Sequence, residues 1–147
     1  MKSLRICMIW LLCAGTVMAM EESPVGSIKT LEGEVVITRN GQDLLAKLPG
    51  LMFKRDEIRT GPDGRVGIVL RDDTLLSLGP QSRLVLADFV FEPKHDRFSV
   101  WIKMLKGTFV YLSGVIAKLS PDSIRLETPD STIAVRGTKL LIRVDGS

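Results

Sequence analysis

The chain has 147 residues, 20 Lys and Arg against 17 Asp and Glu, a formal net charge of +3, and 45% hydrophobic against 25% charged residues. That length and balance fit one globular domain and exclude a disordered, collagen-like or disulfide-dense chain. Two of the positive charges, Lys2 and Arg5, open the sequence; without them 18 basic residues face 17 acidic ones, and the remaining +1 lacks the positive excess of a nucleic-acid binder.

Met1-Lys2-Ser3-Leu4-Arg5 is a basic n-region, Ile6 to Gly15 an apolar core, and Val17-Met18-Ala19 supplies small or modest side chains ahead of a cleavage point. The uncharged stretch from Ile6 to Met20 is shorter than the roughly 20 apolar residues a membrane span requires. The expectation is therefore a cleaved export signal over residues 1–19, no transmembrane helix in the mature chain, and a periplasmic or secreted protein. Cys13 raises lipid anchoring as an alternative, disfavoured by the bulky Leu12 before it. Both cysteines, Cys7 and Cys13, fall in the signal, so the mature chain has no disulfide, thiol nucleophile or thiolate metal site. A loose polar lead-in over residues 20–24 precedes one β domain over residues 25–147.

From Val25 onward, turn signals recur every eight to twelve residues, the rhythm of short strands rather than helices. Glu34 to Arg39 is rich in β-branched residues, Asn40-Gly41 is a two-residue hairpin signal, and Gln42 to Ala46 returns before Pro49-Gly50. Glu57 to Thr60 leads through Gly61-Pro62-Asp63-Gly64 into Arg65 to Arg71; Asp72-Asp73 turns into Thr74 to Leu78, and Gly79-Pro80-Gln81-Ser82 into Arg83 to Ala87. In the clearest alternation, Phe98, Val100, Ile102 and Met104 point one way and Arg97, Ser99, Trp101 and Lys103 the other. Lys106-Gly107 then leads into Thr108 to Leu112, apolar on both faces and so expected to be buried. Ser113 to Ser120 fits either a helical turn or two or a connection, the latter favoured by Gly114 and Pro121. Ile124 to Thr128, Ser131 to Arg136 and Lys139 to Val144 close the chain, with Thr128-Pro129 read as a strand start that needs no N–H donor. The fold class is all-β: a single domain of about ten short strands, a β-sandwich or β-roll, with almost no helix.

Catalytic chemistry has little to stand on. His95, the only histidine, lies in the polar turn Pro93-Lys94-His95-Asp96, and no spacing supplies it with metal partners. Asp72 and Asp73 are explained as a β-turn, and no nucleophile elbow or phosphate-cradling glycine loop is present. No cofactor and no enzymatic activity are expected. Trp101, alternating with polar neighbours, is the candidate contact residue, the alternative being a tryptophan covered by a neighbouring loop.

The order of short motifs is more specific than any one of them. Gly33-Glu34-Val35, Asp56-Glu57-Ile58-Arg59-Thr60-Gly61, Leu70-Arg71-Asp72-Asp73-Thr74-Leu75, Leu105-Lys106-Gly107, Thr128-Pro129 and Val135-Arg136-Gly137-Thr138 follow one another across nearly all of the mature chain. This succession resembles the FecR domain family, the envelope domain of ferric-citrate-type regulators. In those regulators an anti-sigma segment and a transmembrane helix usually precede the domain; here the resemblance implies a stand-alone exported domain without them. The motif residues Thr60, Gly61, Asp72, Gly107, Thr128, Pro129, Arg136, Gly137 and Thr138 are read as structural: glycines at turns and close approaches, and Arg136 as a clamp to a carboxylate such as Asp72 or Asp130.

The expected function is a non-enzymatic binding or sensory module of the bacterial envelope. It would present a strand face or edge to a protein partner in signalling or regulation, with a carbohydrate or cell-wall glycan as the alternative ligand. Mass spectrometry of the exported protein is expected to find an unlipidated N-terminus at or near Met20; a chain beginning at lipidated Cys13 would overturn that expectation.

Overall fold

Asn40 and Gly41 adopt φ of 52° and 75°, the left-handed pair that closes a tight hairpin between two twisted strands. In the computed structural model this hairpin joins the second and third of the strands found in residues 22–135 and 138–146, the residues that the structure describes. The expected export signal over residues 1–19, with Cys7 and Cys13, lies outside the described residues, as do Arg136, Gly137 and Ser147.

The strands are β1 (Gly26–Glu32), β2 (Val35–Arg39), β3 (Gln42–Leu45), β4 (Gly50–Met52), β5 (Glu57–Thr60), β6 (Arg65–Leu70), β7 (Leu75–Leu78), β8 (Arg83–Glu92) and β9 (Arg97–Leu112). One helix of five residues, α1 (Val115–Leu119), follows, then β10 (Ile124–Glu127), β11 (Thr132–Ile133) and β12 (Lys139–Val144). The fold is all-β but for α1, with twelve strands among the described residues where about ten were expected. β1 and β4 had no signal of their own, β8 runs on to Glu92, and the ambiguous segment after Leu112 contains α1.

The strands follow the order β3-β2-β5-β8-β9-β7-β6-β1-β4, and the sheet curls into a half-barrel. All described pairings are antiparallel except that of β10 with β9, where Arg125 lies opposite Trp101. β3 and β4, the two ends of this order, are linked by residues 46–49, so the curl brings the sheet's open edges to one seam.

β9 makes the curl possible. Its first half pairs with β8 from Arg97 to Lys106, and its second pairs with β7 and β12 through Leu112. The expected break at Lys106-Gly107 is instead a bend inside one continuous strand of 16 residues. The side-chain phase changes across it: Val100, Ile102 and Met104 are buried before the bend, Phe109 and Tyr111 after it. A strand with strict period-2 alternation cannot change phase without a local irregularity; the pairing with β8 slips at Leu105, between Met104 and Lys106, and Gly107 beside it has φ of 104°. Inside the curl the two halves share one core with Ile58, Ile68, Leu76, Leu84, Leu86 and Leu126.

Thr128-Pro129 does not begin a strand. Thr128 and Ser131 exchange backbone hydrogen bonds, and the four residues are the turn between β10 and β11. The reason is local: Pro129 and Asp130 favour a turn, and only Thr132 and Ile133 find a partner strand.

A Cβ at Gly107 would stand 2.1 Å from Ser82 Oγ and 2.5 Å from Ser82 Cα, whereas one at Gly41 would meet nothing within 4 Å. Gly107→Ala is therefore expected to destabilise the fold by at least about 2 kcal/mol, and Gly41→Ala by about 1 kcal/mol from its positive φ alone. Urea titration of both variants checks this; equal losses would mean that the β9 corner is not close-packed.

Candidate interaction surface

Thr60, Gly61, Gly107 and Asp72 lie at two corners of the sheet and not around a pocket. At the first, the Thr60 hydroxyl donates to the Gly79 carbonyl at 2.7 Å and accepts from the Ser82 amide at 2.8 Å, while the Thr60 amide donates to the Ser82 carbonyl. The Gly61 carbonyl accepts from the Gln81 amide. Ser82 Oγ in turn accepts from the Thr108 amide at 3.1 Å, beside Gly107. Thr60 and Gly107, 47 positions apart, thus converge on Ser82, with Gly61 tied to its neighbour Gln81; Ser82 had been read only as part of a turn.

The second corner belongs to Asp72. Its side chain is 1% exposed, and its carboxylate accepts from the Thr74 amide and hydroxyl and from the Ile116 amide. Its carbonyl accepts from the Val115 amide at 2.7 Å. Asp73 faces solvent with φ of 66°, so the pair is a turn with one acid folded inward as the anchor of α1. Burial pushes the neighbouring Tyr111 phenol above its usual value, and the Asp72 carboxylate pushes it further. Thr138 is exposed and ties in through its carbonyl, which accepts from the Ser113 amide. Thr128 and Pro129 sit apart in the β10–β11 turn, and the expected Arg136 clamp lies outside the described residues, as does Gly137.

A third anchor was missed in the sequence. Asp56 is fully buried and takes two bonds from Arg39, Nε to Oδ1 at 2.8 Å and Nη2 to Oδ2 at 2.7 Å, plus the Phe53 amide at 2.8 Å. Arg39 also donates to the Leu51 carbonyl and lies 4.4 Å from the Phe53 ring centroid, so one guanidinium fastens β2 to β4 and to the entry of β5. The bonds to Asp56 raise the Arg39 pKa. Only the motif position of Asp56 hinted at this, since its partner lies 17 residues away.

Trp101 lies on the outer face of β8–β9–β10, opposite Asp88 on one side and Arg125 on the other. It is partly buried: Lys103 Nζ is 4.8 Å and the Arg125 guanidinium carbon 4.9 Å from its ring centroid. Its Nε1 is buried and has no hydrogen-bond partner among the described residues. The ring faces outward and is covered by two cations rather than by a loop. Lys103 was legible as its strand neighbour; Arg125 was not, because the parallel pairing of β9 with β10 is non-local. Around them Arg125 pairs with Glu127, and Asp88 with Lys54 and the Ser99 hydroxyl. Burial raises the Asp88 pKa, but the bonds from Ser99 and Lys54 outweigh it and hold the carboxyl below its ordinary value.

A cleft of about 610 Å³ opens elsewhere, beside β11, lined by Ala117, Ile124, Ile133 and Val135 among others. His95 is exposed in a short 3-10 turn. Among the described residues no group of three or more His, Cys, Asp or Glu is placed to hold a metal ion, and no helix is long and apolar enough to cross a membrane.

Asp56 is a buried acceptor for the Phe53 amide and the partly exposed Arg39, so Asp56→Ala removes those bonds and is expected to destabilise the fold by about 2 kcal/mol. Denaturant unfolding measures it; a loss no larger than that of Asp73→Ala, at an exposed turn position, would show that Asp56 is not an anchor.

No curated protein and no solved structure matches the chain. A family model described as FecR protein matches residues 56–147, which contain both motif corners and the Trp101 face. The match spans more than half of the sequence, and the chain belongs to the FecR family.

Proposed function

We infer that this FecR domain is an exported, non-enzymatic binding or sensory module of the bacterial envelope, and that it meets a protein partner through the outer face of β8–β9–β10. The leader supports export and a periplasmic or secreted location. A non-catalytic role is supported by the state of the polar residues a reaction would need: Asp56 and Asp72 spend their carboxylates on backbone and side-chain donors of the fold, and His95 stands alone in an exposed turn.

The observation that carries the reading is the Trp101 ring, with Lys103 and Arg125 over it, on an outward strand face. An aromatic side chain held on a rigid strand exposes contact area at little entropic cost, and such residues dominate protein interfaces. The two cations argue against a glycan, which would need a bare ring face for stacking and would have to displace them. They suit a partner whose contact surface carries carboxylates, which can pair with the cations while apolar groups cover the ring edge. The face would act in signalling or regulation by engaging that partner, with no chemistry required of the domain itself.

Trp101→Ala is expected to weaken the complex by on the order of 2 kcal/mol, with the thermal midpoint little changed, and Lys103→Glu is expected to weaken it in a salt-dependent way. The measurement is affinity capture from envelope extract with the exported protein and both variants, with circular-dichroism melts alongside. After signal cleavage Trp101 is the only tryptophan, so its fluorescence reports directly on ligand. A shift on adding cell-wall sugars, with no protein captured, would replace this reading by the glycan one. An alanine variant that simply unfolds would leave Trp101 a core residue and the face without an anchor.

A further inference from the structure

Among the described residues four strands pair along one side only: β3, β4, β11 and β12. Exposed edges invite pairing with other chains, and proteins blunt them with short strands, charges, proline or covering groups. Three of the four are blunted. β11 has two residues. β12 carries Lys139 and Arg143 on two of its three exposed positions, flanking Leu141. β4 has three residues, and the carbonyl of Leu51 is taken by Arg39. β3 has none of these devices. All four of its residues are exposed, its pairing with β2 contains no bulge, and it has no lysine, arginine or proline. Its one charge, Asp43, is held on its own sheet by the Thr38 hydroxyl at 2.7 Å and Arg59 at 3.0 Å. Leu44, Leu45, Leu48 and Leu51, clustered at this seam, are exposed by 41%, 74%, 51% and 55%.

We propose that the occupant of this edge is a second copy of the chain, its β3 pairing antiparallel with the first across a two-fold axis at Leu44. The backbone directions single out this register. The Asn40-Gly41 turn makes Arg39 and Gln42 a hydrogen-bonded pair, and the Ala46 amide bonds the Val35 carbonyl, so Gln42, Leu44 and Ala46 point their amides and carbonyls into the hairpin. Those of Asp43 and Leu45 therefore point out. An edge with outward groups at two positions flanking one residue is self-complementary about that residue. Asp43 of each copy faces Leu45 of the other, four N–H···O bonds form, and no group on either outward edge is left over. Leu44 lies opposite the buried Ile37, on the core-facing side of the sheet, and is open only because the sheet ends there. Across the axis the two Leu44 side chains meet and join the two cores. No like charges are brought opposite one another, since Asp43 faces a leucine. β2, β5 and β8 separate this edge from Trp101, so the dimer stands or falls independently of the partner-binding face.

The test uses the exported protein with Cys7 and Cys13 changed to alanine, so that one introduced thiol is the only one present. In the proposed pairing two residues at position 44 face each other at a Cα separation of about 4.5 Å, within disulfide range, while two residues at position 45 are offset along the strands beyond it. Leu44→Cys is therefore expected to give at least about tenfold more disulfide-linked dimer than Leu45→Cys, although Leu45 is the more exposed. In sedimentation equilibrium the unmodified protein is expected to dimerise. Leu45→Pro, which removes only an outward N–H, is expected to be monomeric with an unchanged melt. A protein that stays monomeric at its highest soluble concentration, a dimer that survives Leu45→Pro, or cross-linking that follows exposure with Leu45→Cys ahead would each overturn the proposal.

Discussion

The architecture hangs on the bend in β9. A single strand that pairs with β8 before Gly107 and with β7 and β12 after it forces the sheet to curl. The core then forms from one continuous surface folded over on itself. The bend needs a residue with positive φ and no side chain, because Ser82 occupies the space a Cβ would take. Ser82 in turn is positioned by Thr60, so the end of β5, the turn before β8 and the bend in β9 are locked by one small set of hydroxyl and amide bonds. Small side chains suit this corner: they satisfy backbone groups where three segments approach too closely for anything larger.

Two buried carboxylates do at other places what Ser82 does at the bend. Asp72 gathers the amide and hydroxyl of Thr74 and the amide of Ile116, holding a turn and a helix to the sheet. Asp56 gathers Arg39 and the Phe53 amide where the β4–β5 connection enters the sheet. A charge in these positions is tolerable only because its lone pairs are filled by fixed donors. The same saturation makes both acids poor candidates for proton transfer or ligand binding. The short motifs that tie this chain to the FecR family thus describe how the domain folds, and the two interaction surfaces proposed above lie where the motifs do not reach.

Two such surfaces stand out, and they differ in kind. The outer face around Trp101 is side-chain chemistry: a ring, two cations and a rim of paired charges. The β3 edge is backbone chemistry, with directional amides and carbonyls and leucines that no neighbouring strand covers. A curled sheet that does not close has edges as an unavoidable consequence. That three of them are blunted by length, charge or an arginine makes the fourth informative.

Much of the fold was legible in the sequence because it is written in local rules. Asn40-Gly41, Asp72-Asp73 and the alternation from Phe98 to Met104 each specify backbone shape or face within a few residues, and each is found in the structure as read. The family, too, was legible, since motif order survives without coordinates. What the sequence could not decide is whatever depends on which strands meet. Lys106-Gly107 reads as a turn in isolation and becomes a bend because β8 and β12 hold the strand on either side. Thr128-Pro129 reads as a strand start and becomes a turn because only two residues beyond it find a partner. The placement of Arg125 over Trp101, of Arg39 on Asp56, and of β3 at an open edge all come from non-local pairing. Period-2 patterning tells which face a residue takes but is silent on its neighbour across the strand.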